Sequence, residues 1–362
     1  MDKAAETPSP KRLVSSTQLG SLRSSLGNDG RSVLLAVHDY PDPDALASAL
    51  AFQVLAGSWG VSAIIAHGGG MGRPENKALV KALSIELTRF EDIPNLTEYR
   101  GAMFLDTQPG AKNQSLPPSV RTLAVVDHHR LGADSVRFNS DPVTGQPFYA
   151  DIRLDVGSSS TLALGYLEAA EIVPDARLAT ALFLGVKTDT ANLMRDARMP
   201  DILAYTRLLP LADLPLAAEI ISPPLGREHF RFLDDALRHA VIYGHSLVAD
   251  CGAITSPDMI SLVSDEFIKA RDVRYALAHG AHGGRLYLSL RAKPPQEDAT
   301  RVLLKTIRGA GRGGGHNLSA GGFMNPGRDL PGCAAVMLER FLAVTGAKTA
   351  VPTPLLGLPT VQ

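Results

Sequence analysis

A repeated alternation in the first 210 residues limits the folds open to this chain. Short apolar runs at 32–37 (SVLLAV), 62–66 (SAIIA), 101–106 (GAMFLD) and 122–127 (TLAVVD) are rich in Val, Ile, Leu and Ala. They lack the polar alternation of a half-exposed strand, so each reads as a strand buried on both faces. Between and after them, helices are predicted at 44–56, 76–83, 159–170, 174–188 and 199–209. Strands alternating with helices give an α/β fold with a doubly wound, mainly parallel sheet. Ligands of such sheets bind beyond the carboxyl ends of the strands. His38, Asp106 and Asp127 each stand at or just past the end of a predicted strand.

The remainder divides around that sheet. Residues 1–30, rich in Ser, Gly and charge, read as a mobile tail with one short helix around 19–26. Residues 31–210 form the first domain and 211–239 an amphipathic helical linker. Residues 240–345 form a second, smaller α/β domain, and the Pro-rich stretch 346–362 reads as a loose tail. With 362 residues, 45% of them hydrophobic, the chain has enough apolar material for two cores. The net charge of -1 offers no global basic excess for gripping long nucleic acid. Cys251 and Cys333 read as buried thiols of a reducing compartment, and no Cys-x-x-Cys supports a zinc ribbon. Neither a signal peptide nor an 18-residue apolar run is evident, so the expectation is a cytoplasmic protein without membrane spans.

Five segments carry chemistry-bearing residues. HDYPDPDA supplies His38, Asp42 and Asp44 at a strand-to-helix turn stiffened by Pro41 and Pro43. LDTQPG supplies Asp106, VVDHHR supplies Asp127, His128 and His129, and GVKTDT supplies Asp189. Each segment alone also suits a capped turn or a solvated loop. Together they gather carboxylates and histidines at one sheet edge, which is costly unless cations neutralise the charge. Mixed Asp and His donors without thiolate suit Mn2+ first, then Mg2+ or Co2+, with Zn2+ and Fe2+ also compatible. Two such ions roughly 3.5–4 Å apart can polarise a phosphoryl oxygen and generate a hydroxide nucleophile. The fifth segment, GRGGGHNLSAGG, holds Gly313, Gly314, Gly315, His316 and Asn317. It reads as a glycine-rich loop whose N–H groups can approach an anion, or as a plain flexible loop. Arg291, at a predicted strand end, reads as a second phosphate clamp or as a solvated arginine. The Ser/Thr cluster of residues 157–161 (GSSST) reads as plain helix N-capping.

This ordered set resembles the DHH phosphoesterase superfamily with its DHH-associated C-terminal domain, over about residues 32–330. It is most similar to the short, RecJ-like two-domain members: nanoRNases, pAp phosphatases and dinucleotide phosphodiesterases. The resemblance implies that His38, Asp42 and Asp106 hold one metal ion. Asp44, Asp106, His128 and Asp189 hold the other, with Asp106 bridging. Asp127, His128 and His129 are the catalytic candidates, His129 lying beside the metals, toward the substrate or orienting a ligand. Arg291 and the Gly313, Gly314, Gly315, His316, Asn317 segment would bind the nucleotide from the second domain, across an interdomain cleft. Two departures stand out: Ala47, where the family often has glycine, and the residue pair after His316, which bears on substrate choice.

The function expected is two-metal hydrolysis of short oligonucleotides (nanoRNA), linear dinucleotides or pAp. The alternatives are a cyclic-dinucleotide phosphodiesterase and, from another class, a catalytically weak nucleotide-binding sensor. The partners implied are a short RNA or DNA oligonucleotide or a small nucleotide and, as in relatives, a second copy in a homodimer.

Overall fold

The computed structural model describes residues 12–111, 113–130, 140–141, 143–293, 298–315 and 318–357. His316 and Asn317 therefore lie outside the described residues. The chain divides into two units: residues 1–69 with 75–222, and residues 70–74 with 223–362.

In the first unit, six strands form a wholly parallel sheet. They are β1 (Val33–Ala36), β2 (Ala63–His67), β3 (Leu87–Arg89), β4 (Ala102–Leu105), β5 (Thr122–Asp127) and β6 (Tyr149–Ile152), in the order β3-β2-β1-β4-β5-β6. The order reverses between β1 and β4, which is where a doubly wound sheet opens a ligand crevice. The apolar runs explain the burial: every residue of β1, β4 and β5 is buried. The helices of this unit are α1 (Ser16–Leu26), α2 (Pro43–Ser58), α3 (Pro74–Ala82), α4 (Ser159–Ala169), α5 (Ala176–Asp189), α6 (Met199–Leu208) and α7 (Leu214–Ile221). Helix α2 is apolar on most of its circumference and packs against α4 and α5, as such a helix must.

The second unit holds α8 (Arg227–Arg238), α9 (Met259–Phe267), α10 (Ala299–Thr306) and α11 (Leu330–Val344). Its sheet is mixed, in the order β11-β12-β10-β9-β8-β7-β13, with β8 and β9 parallel and the other pairs antiparallel. These strands are β7 (Ala240–Tyr243), β8 (Ser246–Ala253), β9 (Tyr275–His282), β10 (Arg285–Ala292), β11 (Gly311–Gly315), β12 (Ser319–Met324) and β13 (Pro352–Pro354). Two apolar clusters make its core, one with Leu277, Leu288 and Leu290, the other with Leu247, Ala276 and Val263.

Four expectations change. The short helix expected around residues 19–26 starts earlier, at Ser16, and is docked instead of lying in a mobile tail: Ser15 and Gln18 form a capping box, and Leu22 and Leu26 are buried. Within the C-terminal stretch, β13 pairs with β7. The edge strands β3 and β6 had no clear signal, being three and four residues long and only partly buried. Finally, Gly313, Gly314 and Gly315 belong to strand β11 and not to a loop. At two of them the glycine has a packing cause: a Cβ on Gly313 would lie 2.8 Å from the Gly321 carbonyl oxygen, and one on Gly315 would lie 2.3 Å from that of Ser319, whereas Gly314 faces open space. Side chains at Gly313 and Gly315 would push β11 off β12.

Candidate metal centre and active site

The site grows from the ends of β1, β4 and β5. After β1 the chain passes His38 and turns into α2, with Asp42 as N-cap and Pro43 at the first helical position. Asp42 Oδ1 accepts the backbone N–H groups of Asp44 and Ala45, both at 3.0 Å. Buried Asn76 on α3 donates to the Pro41 carbonyl at 3.1 Å and holds this turn from behind. Asp44, in the first turn of α2, is wholly buried. After β4, Asp106 takes a left-handed backbone (φ 57), unusual for a residue with a Cβ. That conformation ends the strand at once, and the carboxylate is buried.

Asp106 faces two sets of donors. Its Oδ2 lies 3.7 Å from His38 Nε2, which is 3.9 Å from Asp42 Oδ1. Its Oδ1 lies 3.3 Å from His128 Nε2 and 3.6 Å from His129 Nδ1. His128 Nε2 is also 3.0 Å from Asp189 Oδ2 and 3.9 Å from Asp44 Oδ2. Among the described residues, the groups able to hold a metal ion are His38 with Asp42 and Asp106, Asp44 with His128 and Asp189, and Asp106 with His128 and His129. All six positions expected to bind metal thus meet at the switch point of the first sheet.

Asp127 is used differently. It is wholly buried, and its Oδ1 accepts the backbone N–H of His128 (2.8 Å) and of His129 (3.2 Å). The same oxygen lies 2.9 Å from His129 Nδ1, while Oδ2 accepts from Gln108 Nε2 at 2.7 Å. Its carboxylate is engaged by protein donors and sets the orientation of His129.

The electrostatics test whether cations fit. Burial pushes Asp44 well above the usual carboxylate range, and the carboxylates of Asp106 and Asp189 push it further. Burial also raises Asp106, against the pull of His129 and His128. Burial alone would lower both histidines. Hydrogen bonds to Asp106 and Asp189 nonetheless raise His128 well above its ordinary value, and the charge of Asp127 holds His129 at about 9. Asp127 is kept at about 2 because His129 and Gln108 outweigh its burial. Without cations the cluster balances its charge with protons; hard divalent ions, bound by just such oxygen and imidazole donors, would replace them. The residues fit divalent cations.

Three neighbours went unassigned in the sequence. Gln108 lies within the LDTQPG segment, but nothing there points to Asp127 as its partner. Arg195 donates to the Asp189 backbone carbonyl at 2.7 Å, and its guanidinium is 3.8 Å from the Asp189 carboxylate. Ser159, read as part of a capping cluster, donates to Asp106 Oδ1 at 2.9 Å, while Ser158 is the actual N-cap of α4. In the second unit, Arg291 is no solvated strand-end arginine: its Nε donates to Asp265 Oδ1 at 2.6 Å and its Nη1 to Ser289 Oγ at 3.1 Å. Asp265 also accepts from Arg73, at 3.2 Å. No described helix is long and apolar enough to cross a membrane.

No family model matches the sequence. The chain is 31% identical over 290 residues to uncharacterized protein MJ1633 of Methanocaldococcus jannaschii. The match covers 80% of this chain but 57% of that protein, so the chain spans little more than half the length of this relative. Among solved structures it is similar to an exopolyphosphatase-related protein from Bacteroides fragilis, with TM-score 0.70 and 13% identity over 92% of this chain and 98% of the other. It is also similar to RecJ in complex with Mn2+ from Thermus thermophilus, with TM-score 0.50 and 15% identity over 91% of this chain and 54% of that one. This chain shares the fold of these two proteins.

Proposed function

We propose that this chain is a metal-dependent phosphoesterase that hydrolyses short oligonucleotides, linear dinucleotides or a 3′-phosphorylated nucleotide such as pAp. One observation carries the reading: two potential ligand groups share Asp106, one at each of its carboxylate oxygens. His38, Asp42 and Asp106 would hold one cation, and Asp44, Asp106, His128 and Asp189 the other. A bound pair of divalent cations supplies Lewis-acid polarisation of a phosphoryl oxygen and a deprotonated water at neutral pH.

The chain's own groups do the rest. Asp127 fixes the ring of His129 through Nδ1, and its charge favours the protonated imidazole. His129 can then offer its Nε2 proton to a phosphoryl or leaving oxygen. The net charge of -1 argues for small substrates over long nucleic acid. The Mn2+ bound in the Thermus thermophilus RecJ structure makes Mn2+ the first ion to try. The test is release of phosphate or mononucleotide from pAp, pApA, a five-nucleotide RNA and a cyclic dinucleotide by Mn2+-loaded protein. Turnover of one or more of the linear substrates is expected. Turnover of the cyclic compound alone would move the reading to a cyclic-dinucleotide phosphodiesterase, and turnover of none would overturn it.

A further inference from the structure

We infer that Ser159, the first residue of α4, is a positioning residue of the metal centre; the inference rests on the two-metal reading above. Four serines and threonines open this helix, and capping accounts for only part of them. Ser158 is the N-cap: its side chain accepts the Thr161 N–H at 3.2 Å and lies 2.9 Å from the Thr161 hydroxyl. The start of the helix is thereby satisfied without the hydroxyl of Ser159. That hydroxyl is wholly buried, and it donates to Asp106 Oδ1 at 2.9 Å. A serine has a single proton to give, and here it goes to the carboxylate that both ligand groups share.

The backbone of the same turn reaches the other buried carboxylate. Ser159 N–H donates to Asp44 Oδ2 at 2.6 Å and Ser160 N–H to Asp44 Oδ1 at 2.8 Å. One helical turn therefore orients Asp44 and Asp106 together. Room for this approach is provided by α5: a Cβ on Gly185 would lie 2.1 Å from Ser160 Oγ and 3.0 Å from Asp44 Oδ1. The glycine clears the space through which α4 meets the carboxylates.

A carboxylate that must face two cations has little orientational freedom to spare. Groups that orient metal ligands commonly change metal affinity or activity by about 10–100-fold when removed. A merely structural hydroxyl would change folding stability and leave metal binding alone, so the two roles separate by measurement. Mn2+ binding to the full chain is followed by titration calorimetry, and folding by thermal unfolding of the metal-free protein. Ser159→Ala is expected to weaken Mn2+ binding by about tenfold or more. Ser158→Ala, which removes the cap and touches neither carboxylate, is expected to lower Tm and leave Mn2+ affinity within about twofold. Should Ser159→Ala fail to fold, the isosteric pair Ser159→Thr and Ser159→Val isolates the hydroxyl, and Thr is expected to bind Mn2+ about tenfold more tightly than Val. Wild type that takes up no Mn2+ would overturn the two-metal reading and this inference with it. Wild type that binds Mn2+ no better than Ser159→Ala, or Thr and Val variants of equal affinity, would overturn the inference alone.

Discussion

In the first unit, the polar residues that follow β1, β4 and β5 turn toward one another and leave the protein with an excess of buried carboxylate. In the second unit, Arg291 is met by Asp265 and Ser289, and Gly311, Gly313 and Gly315 of β11 are used in close pairing with β12. Both units contain segments that invite a ligand-binding reading. Among the described residues, only the first unit gathers carboxylates and histidines whose charge a bound ion would settle. Glycine near a functional motif thus has two meanings, backbone offered to an anion or backbone pressed against another strand, and the position of a neighbouring carbonyl decides between them.

The sharpest way to break this contrast is at Asp106. Asp106→Asn keeps the shape and the hydrogen bond from Ser159 but removes the shared negative charge. Loss of several kcal/mol of metal-based charge stabilisation corresponds to a fall of about 10^3-fold or more in hydrolysis. Mn2+ uptake should fall with it while Tm of the metal-free protein holds or rises, since burial and nearby Asp42 both raise the Asp106 pKa. A variant retaining activity near the wild-type level would show that Asp106 does not join the two ligand groups.

The second unit supplies the converse test. A Cβ on Gly313 would lie 2.8 Å from the Gly321 carbonyl oxygen and 3.0 Å from Ile307 Cδ1. Gly313→Ala should therefore destabilise by about 1–3 kcal/mol, read as a fall in Tm of several degrees. Mn2+ affinity should not move. Unchanged Tm with weakened substrate binding would restore the anion-binding reading of this glycine and erase the difference between the units.

These outcomes also bear on what a sequence can reveal. The parallel sheet was legible because each apolar run is long enough and unbroken enough to require burial on both faces. The meeting of His38, Asp106 and His128 followed from the sheet, since the ends of its strands must share an edge; Asp189 comes instead from the last residue of α5. Less was visible where a residue's role depends on a partner far along the chain. Ser158 and Ser159 are adjacent and chemically identical, yet one caps a helix and the other reaches a carboxylate 53 residues away. The turn of Asp106 into a left-handed backbone and the grip of Gln108 on Asp127 are likewise products of packing. Helix α1 was legible around residues 19–26, but its capped start at Ser16 and its docking through Leu22 and Leu26 were masked by a Ser- and Gly-rich composition.

Proton balance gives the smallest effect and the most direct comparison of the metal-free and metal-loaded forms. His129 has an ordinary value of 6.5 and is held at about 9 by Asp127, while His128 is raised as well. A histidine raised in the folded state stabilises it fully below its unfolded value, and that contribution disappears as pH climbs through the folded value. Asp44, also raised, works in the same sense, because its ionisation is resisted in the folded protein. Metal-free protein should therefore lose stability between about pH 6.5 and 9. Cations that take the place of these protons remove the dependence and bind more tightly as the protons leave. The Tm difference between Mn2+-loaded and metal-free protein is expected to widen steadily from about pH 6.5 to 8.5. Asp106→Asn should flatten that trend. A wild-type difference that is constant or narrows over this range would mean that the buried charge of the first unit is not balanced by protons in the absence of metal.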